Sequence, residues 1–502
     1  MPDIARYLED RALVLLSNRE PYEHVHGKNG IEVRQPPGGL VSALDPTMQR
    51  THGIWVAWGS GSADRETADE QGRLRVPPDD PTYSLHRVWL DEEDIDGYYL
   101  GFANSALWPL CHMLIQHFRF RAEHWTRYQN VNERFADAVA SEAMRAQADG
   151  RQAMVWIHDY HFALVADLLR PTAPDAFVHQ FWHIPFPPPD ILHLLPTDVH
   201  DAVLRGLLGN DLLEFHTERY AFNFLSCVAE SVPDALVDLE RRQVTCGEHT
   251  TTVGVFPISI DVDEYESLAL RPASSARVAE LRARYAPGDR QLGVSVDRID
   301  YTKGIPERLS ALELLWSESP ELRERFTFIF VATPSRSDLA PYKALEEEVI
   351  STVAAINARF GTPDWVPIVL VNENVNAELL ASIYRAADIC LVSSLQDGMN
   401  LVAKEFIACQ IEERGVLVLS RFTGAAEEID GAVLINPFNV DGFAAGIRHA
   451  LAMPREERRR RMADMRTQLA KSTIFDWLEA ILSEASSLMN ERSVQRWKEP
   501  AR

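Results

Sequence analysis

Hydrophobic residues in this chain fall into short, nearly unbroken runs, separated by stretches where apolar positions recur every three or four residues. The runs at 12–17, 154–157, 176–182, 291–296, 326–332, 367–371, 389–393 and 416–420 predict strands buried on both faces. Periodic stretches between them, such as 305–318 and 341–360, predict amphipathic helices. Strand–helix alternation of this kind predicts an α/β fold with parallel sheets covered on both sides. At 502 residues the chain is too long for one ordinary core and suits two domains. The pattern changes near 255–263 (VFPISIDVD): long polar insertions such as 59–80 precede it, and tight strand–helix units follow. The expected division is 1–256 and 257–473. A last amphipathic helix from Ile474, with Phe475 and Trp477, is expected to pack back on the first domain over residues 474–502.

Composition narrows the picture. The chain is 46% hydrophobic and 25% charged, a globular balance. Residues 1–11 are charged and unlike a signal or transit peptide, and no apolar run is long enough to span a bilayer, so a soluble, cytoplasmic protein is expected. The five cysteines are scattered without CxxC spacing, which argues for reduced thiols rather than disulfides or zinc. A formal net charge of −24 disfavours nucleic-acid and membrane partners. Any phosphorylated substrate must then be met by locally gathered cations. One basic run, Arg458–Arg461, lies in a helical pattern and is expected to be a solvated face paired with nearby Glu.

Three segments carry candidate chemistry. In GVSVDRIDYTKGIPER (293–308), Arg298 ends a predicted strand, and Lys303 and Gly304 precede a helix with Pro306 in its first turn. Two cations on a strand-to-helix loop can converge on one anion beyond the strand's carboxyl end. In SLQDGMNLVAKEFIACQ (394–410), Asp397 makes a turn and a helix starts near Asn400 or Leu401, whose free amides suit phosphate. Glu405 lies one turn in, placed to accept hydrogen bonds from ribose hydroxyls. The third group is N-terminal: Arg19 after the first strand, the PGGL helix start at 37–40, and the strand ends WIHDYH (156–161) and FWHIPFP (181–187). His158, His161 and His183 lack metal-site spacing, and Asp159 and His183 are better read as ligands of sugar hydroxyls.

These motifs resemble the trehalose-6-phosphate synthase family of retaining glycosyltransferases. The resemblance rests on SNR at 17–19, GGLVSAL at 38–44, NSALWP at 104–109, WIHDYH, HIPFP, DRIDYTKGIPERL at 297–309, TPSR at 333–336 and DGMNLVAKEF at 397–406. It implies a GT-B fold, two Rossmann-like domains facing across a cleft, and transfer of glucose from a nucleotide-diphosphate donor to glucose 6-phosphate. It further implies that Arg19 and Arg336 hold the acceptor phosphate, with Tyr99 and Trp108 beside the acceptor sugar. Asp159 lies near the reacting hydroxyl, and His183 binds the donor sugar. Arg298 and Lys303 stabilise the leaving diphosphate. Gly39, Asp397, Asn400, Leu401, Val402 and Glu405 bind the donor. The implied enzyme needs no cofactor or metal, takes small-molecule substrates, and is a homo-oligomer.

The chain departs from the family pattern at Glu214, where relatives usually have Gly, at 58–61, at Gln396 and in the 20–37 loop. No DxDGT phosphatase segment is present. The alternatives are a glucosylglycerol-phosphate synthase using glycerol 3-phosphate, a pseudoglycosyltransferase coupling cyclitols, and a silent binding protein. Tyr99 and Trp108 favour a sugar over glycerol. The intact donor motif disfavours the cyclitol and silent readings. The absence of a strand-linked GxGxxG disfavours a dinucleotide oxidoreductase. The donor base is left open among uridine, adenosine and guanosine.

Overall fold

A computed structural model describes residues 4–8, 10–35, 39–336, 338–372 and 375–498. The chain forms two compact units. One holds the residues up to Pro257 together with those from Phe475 onward, and the other is Ile258–Ile474.

The first unit is built on β1 (Arg11–Arg19), β4 (Ile54–Trp58), β5 (Arg73–Val76), β6 (Tyr83–Val88), β7 (Gln152–His158), β8 (Phe177–Phe181), β9 (Leu212–Phe215), β10 (Ala235–Asp238), β11 (Gln243–Cys246) and β12 (His249–Val255). A separate hairpin joins β2 (Glu23–Gly27) and β3 (Gly30–Arg34). The main sheet runs β10-β11-β12-β9-β8-β7-β1-β4-β6-β5, parallel from β12 to β6, with antiparallel strands at both edges. Val14, Leu15 and Leu16 of β1 are fully buried, as a central strand covered on both faces requires. The edge strands escape the sequence pattern because they are short and mixed: RLRV in β5 and ALVD in β10 carry no continuous apolar run.

The second unit has β13 (Gln291–Arg298), β14 (Phe326–Thr333), β15 (Ile368–Val371), β16 (Ile389–Val392), β17 (Val416–Ser420) and β18 (Val433–Ile435) in the order β15-β14-β13-β16-β17-β18, all parallel. This is the doubly wound order, and its direction reverses between β13 and β16. In the first unit the same reversal falls between β1 and β7. The loops that leave these four strands carry most of the candidate residues.

The last helix, Ile474–Lys498, runs further than the stop near Met489 that the sequence pattern predicts. It belongs to the first unit from Phe475 on. Trp477 donates from Nε1 to the Phe256 carbonyl at 3.2 Å, and its ring lies 5.2 Å from Phe181. Arg492 pairs with Asp211 at 3.0 Å. The basic run needs correction. Arg459 and Arg461 do pair with Glu413 and Glu457, but Arg458 is buried and donates to the carbonyls of Ala450, Leu451 and Met453. It satisfies the open carbonyl end of the preceding helix, Val440–Ala452. Among the described residues no helix is long and apolar enough to cross a membrane.

Candidate active site

In the second unit β13 delivers Arg298, exposed, at its carboxyl end. The chain then makes a short 3-10 turn, Tyr301–Lys303, held by the Asp300 carboxylate accepting from the Thr302 amide at 3.0 Å. Gly304 follows with φ of 60°, and a Cβ there would meet the Ser393 carbonyl oxygen at 2.2 Å. Only glycine allows both that backbone and that approach. The helix Ile305–Glu318 opens next.

Beneath this loop sits Arg308, with no exposed surface. Its guanidinium donates to Ser393 Oγ at 2.9 Å, Ser295 Oγ at 2.5 Å and Asp297 Oδ2 at 2.6 Å, and Nη2 also reaches the Lys303 carbonyl at 3.3 Å. Ser393 Oγ lies 2.9 Å from the Lys303 carbonyl, and the Leu395 amide donates to Thr302 at 2.7 Å. The loops after β13 and β16 are thus fastened together through one buried side chain. Burial raises the Asp297 pKa, and the cations of Arg308 and Lys303 oppose that rise.

Lys303 Nζ, held this way, lies 2.6 Å from Asp397 Oδ2. The same oxygen accepts from Ser394 Oγ at 3.0 Å and Asn400 Nδ2 at 3.1 Å. Asn400, at φ 85°, caps the helix Leu401–Cys409 by accepting from the Ala403 amide at 3.2 Å. The amides of Leu401 and Val402, in the first turn, have no intrahelical carbonyl to reach. Glu405, one turn on and half-buried, accepts from Tyr384 OH at 2.8 Å, and burial raises its pKa. Arg336, on the loop after β14, donates to Asp300 at 3.0 Å and to Tyr342 OH at 2.8 Å. Burial would raise the Asp300 pKa, but Arg336 and Arg298 bring it below the ordinary value.

In the first unit, Arg19 stands exposed at the end of β1. Its neighbour Asn18 accepts from Tyr98 OH at 2.8 Å. Tyr99 lies in the π-helical segment Ile95–Leu107, half-buried, its ring parallel to His161 at 5.9 Å. Trp108 follows that segment, buried, with its ring 5.7 Å from Tyr160. Asn104 ties the group together: it donates to the Tyr99 carbonyl at 2.8 Å and accepts from Tyr160 OH at 2.8 Å. Gly39 begins the helix Gly39–Thr51; Pro37 and Gly38 lie outside the described residues.

Asp159 follows β7 with φ of 72°, unusual for a residue with a side chain. Three bonds over-determine it. Its amide donates to Phe181 at 2.7 Å, its carbonyl accepts from Gln180 at 3.1 Å, and its Oδ1 accepts from the His183 amide at 3.2 Å. Strain of this sort persists where the surroundings enforce it, often at functional positions. His183 Nε2 is 3.0 Å from His158 Nδ1. Burial drives the pKa of both imidazoles well below the ordinary value, and neighbouring histidines add to it, so the rings are neutral at pH 7. Behind them the Trp156 ring lies between His158, at 4.6 Å, and His179, at 5.2 Å. Glu214, wholly buried, accepts from His179 Nδ1 at 2.7 Å and Trp156 Nε1 at 3.2 Å.

The structure therefore gathers Arg298, Lys303, Arg336, Asp397, Asn400, Leu401, Val402 and Glu405 around the strand ends of the second unit. Arg19, Tyr99, Trp108, Asp159 and His183 lie around those of the first. Lys303 and Asp397, read separately in the sequence, are an ion pair. Sequence reasoning gave no role to Arg308, His158 or His179, and registered Glu214 only as a departure. A signal was present for two of them. Arg308 and Glu214 are charges set among Ile305, Leu309 and Leu312, and among Leu212, Leu213 and Phe215, where an apolar stripe demands a partner for any charge.

Residues 11–487 match the profile of glycosyltransferase family 20. A bifunctional trehalose-6-phosphate synthase/phosphatase of Thermoproteus tenax is 36% identical over 93% of this chain, which spans 62% of that protein. A trehalose-6-phosphate synthase of Mycolicibacterium vanbaalenii is 38% identical over 94% of this chain and 96% of its own length. An E. coli structure described as trehalose-6-phosphate bound with UDP-2-fluoro glucose superposes with a TM-score of 0.82 at 32% identity, over 95% of this chain and 99% of that one. A UDP-forming alpha,alpha-trehalose-phosphate synthase from Burkholderia xenovorans in complex with glucose-6-phosphate gives 0.80 at 30% identity, over 94% and 99%.

Proposed function

The chain belongs to glycosyltransferase family 20, and we propose that it transfers glucose with retention from UDP-glucose to glucose 6-phosphate, forming α,α-trehalose 6-phosphate and UDP. The observation that carries this reading is the doubly wound second unit, whose switch point sets Arg298, Lys303, Asp397 and a helix start on two loops locked by Arg308. Two cations and a first-turn amide pair are what a departing diphosphate requires.

In this reading the bond from the anomeric carbon to the diphosphate oxygen breaks, and the acceptor hydroxyl oxygen bonds to that carbon on the same face. The hydroxyl proton passes to a leaving diphosphate oxygen. Arg298, Lys303 and the amides of Leu401 and Val402 stabilise the charge that grows there, the part a metal plays in other enzymes. Lys303 exchanges part of its bond to Asp397 for the diphosphate, which leaves Asp397 to accept from donor hydroxyls. Glu405 takes the ribose hydroxyls. Gly39 is the donor contact of the first unit. His183 meets the donor sugar with a neutral ring, and Asp159 orients the reacting hydroxyl. Arg19 and Arg336 take the acceptor phosphate, and Tyr99 and Trp108 form an apolar wall beside the acceptor ring.

The similarity to proteins solved with UDP-2-fluoro glucose and with glucose-6-phosphate supports this choice of substrates. The test is a matrix of UDP-, ADP- and GDP-glucose against glucose 6-phosphate and glycerol 3-phosphate, with products weighed by mass spectrometry. A disaccharide phosphate from UDP-glucose and glucose 6-phosphate is expected. Turnover with glycerol 3-phosphate alone overturns the reading.

A further inference from the structure

At the opposite edge of the first unit's sheet, by the amino ends of β4 and β6, lies a cavity of about 190 Å³ lined by Arg73, Arg75, Arg145 and Arg151. Two carboxylates, Glu142 and Asp149, and two imidazoles, His52 and His86, share the lining. Glu142 is already committed. It is buried, and its Oε1 lies 2.6 Å from Arg73 Nε and 2.8 Å from His86 Nδ1. Burial would raise its pKa, but hydrogen bonds from His86 and Arg73 bring it below the ordinary value, so it remains an anion spent on those two groups.

Among the described residues the other arginines have no such partner, and Arg75 reaches only neutral oxygens there, Ser84 Oγ at 3.3 Å and the Pro81 carbonyl at 3.4 Å. Among the described residues no side-chain hydrogen bond or ion pair engages Arg145 or Arg151. Asp149 is the remaining carboxylate on the wall. In a chain with 74 acidic against 50 basic side chains, acidic partners are not scarce. Guanidinium groups gathered in one cleft repel one another until an anion enters. Guanidinium groups are also the side chains best shaped for phosphate oxygens.

We propose that this cleft is a further anion site, distinct from the donor and acceptor positions at the strand ends, which takes a phosphate or diphosphate group on Arg75, Arg145 and Arg151. It lies at the amino ends of parallel strands, whereas Arg19 and Asp159 follow the carboxyl ends of β1 and β7. Its occupant therefore need not displace a substrate.

Equilibrium dialysis with labelled pyrophosphate at low salt tests the proposal. The wild-type enzyme is expected to bind pyrophosphate at the cleft as well as at the donor and acceptor phosphate positions. Arg145→Glu/Arg151→Glu should lose the cleft position alone, with binding there weakened about tenfold or more, and Arg298→Ala/Lys303→Ala should lose the donor position alone. The cleft variant should keep wild-type turnover at saturating substrate. Should reversal impair turnover, Arg145→Gln/Arg151→Gln takes its place with the same expectation. Arg459→Glu/Arg460→Glu, the same change of net charge on an exposed helix face, should lose neither. Wild-type stoichiometry in the cleft variant, or equal loss in the surface control, overturns the proposal. Competition by unlabelled inorganic phosphate or by glucose 1-phosphate tells whether the free anion or a sugar phosphate is the better occupant; either supports the site.

Discussion

Replacing Arg308 by Met should damage both the stability of the second unit and its handling of the donor, and replacing it by Lys should damage the second more than the first. The methionine variant leaves the Asp297 carboxylate buried, 2.6 Å from a cation that is gone, with Ser295 and Ser393 also stripped of a donor. Breaking a buried pair by removing one partner costs about 3–5 kcal/mol. Lysine keeps a positive charge for Asp297 but cannot span both serines, so it forfeits hydrogen bonds worth about 1–3 kcal/mol. The methionine variant also has a pH signature. The raised pKa of Asp297 loses its cationic opposition, so the folded state holds that proton to higher pH. The contribution is present at low pH and is lost as pH rises through the folded value, so the variant's stability declines with rising pH over a wider range than the wild type's.

The kinetic consequence follows from geometry. Arg308 and Ser393 fix the Lys303 carbonyl, and freeing it lets the ammonium drift from its place beside Asp397. A misplacement of about 1 Å costs up to about 100-fold, so kcat/KM for UDP-glucose should fall by that order in both variants while KM for glucose 6-phosphate changes little. Urea unfolding followed by fluorescence and circular dichroism gives the stabilities, and UDP release gives the rates. A methionine variant within about 1 kcal/mol of wild type, or a lysine variant as unstable as the methionine one, refutes the reasoning.

The remaining predictions are briefer. Arg298→Ala should lower kcat about 100- to 1,000-fold, and wild-type turnover should survive chelation of divalent ions; loss of activity with chelator, restored by a metal, refutes the cationic account of the leaving group. Glu214→Ala removes the acceptor of both His179 and Trp156 and should cost about 3 kcal/mol in urea unfolding; kcat should fall more than KM, because Trp156 supports His158 and His158 holds His183. Glu20, beside Arg19, is pushed up to about 8 by burial, then by its hydrogen bond to Asp64, against the pull of Arg87. Its raised value stabilises the fold below 4.5, and that contribution is lost as pH rises through about 8; Glu20→Gln should flatten this decline in unfolding titrations.

What could be read in advance follows the physics of each element. The central strands of both units are apolar on two faces, so β1, β7, β8, β13, β14, β16 and β17 stand out as runs. The edge strands β5 and β10 and the β2–β3 hairpin, where every residue of β3 is exposed, carry no such signature, whereas β15, at the edge of the second sheet, does as the run at 367–371. The same contrast divides the site. Arg298, Lys303 and Asp397 were legible because they sit at strand ends and strand-to-helix loops, where open parallel sheets bind ligands, and Glu405 because it lies one turn into the helix that follows. Tyr99 and Trp108 rested on resemblance alone, since the π-helical segment that holds Tyr99 and leads into Trp108 has no apolar period of its own to read. The groups that hold these residues in place were not legible as partners: nothing local says that Arg308 answers Asp297, or that Glu214 answers His179, 35 residues away.

Those supports also show how the two half-sites solve one problem differently. In the proposed reaction the second unit holds cations near an anion that comes and goes; there Lys303 is fixed by an internal surrogate, Asp397, and anchored from below through Arg308. In the proposed reaction the first unit presents neutral and hydrogen-bonding groups to sugars; there His183 is fixed through another imidazole, and the carboxylate of Glu214 lies one aromatic layer further back. A carboxylate hydrogen-bonded to the His183 ring, rather than to its amide as Asp159 is, would favour the imidazolium form and forfeit the neutral ring. Set behind Trp156 and His179, Glu214 orients without charging. Glu214, read in the sequence only as a departure, is therefore bound into the same support as the HIPFP and WIHDYH segments, and the kcat of Glu214→Ala measures how much of that support reaches His183.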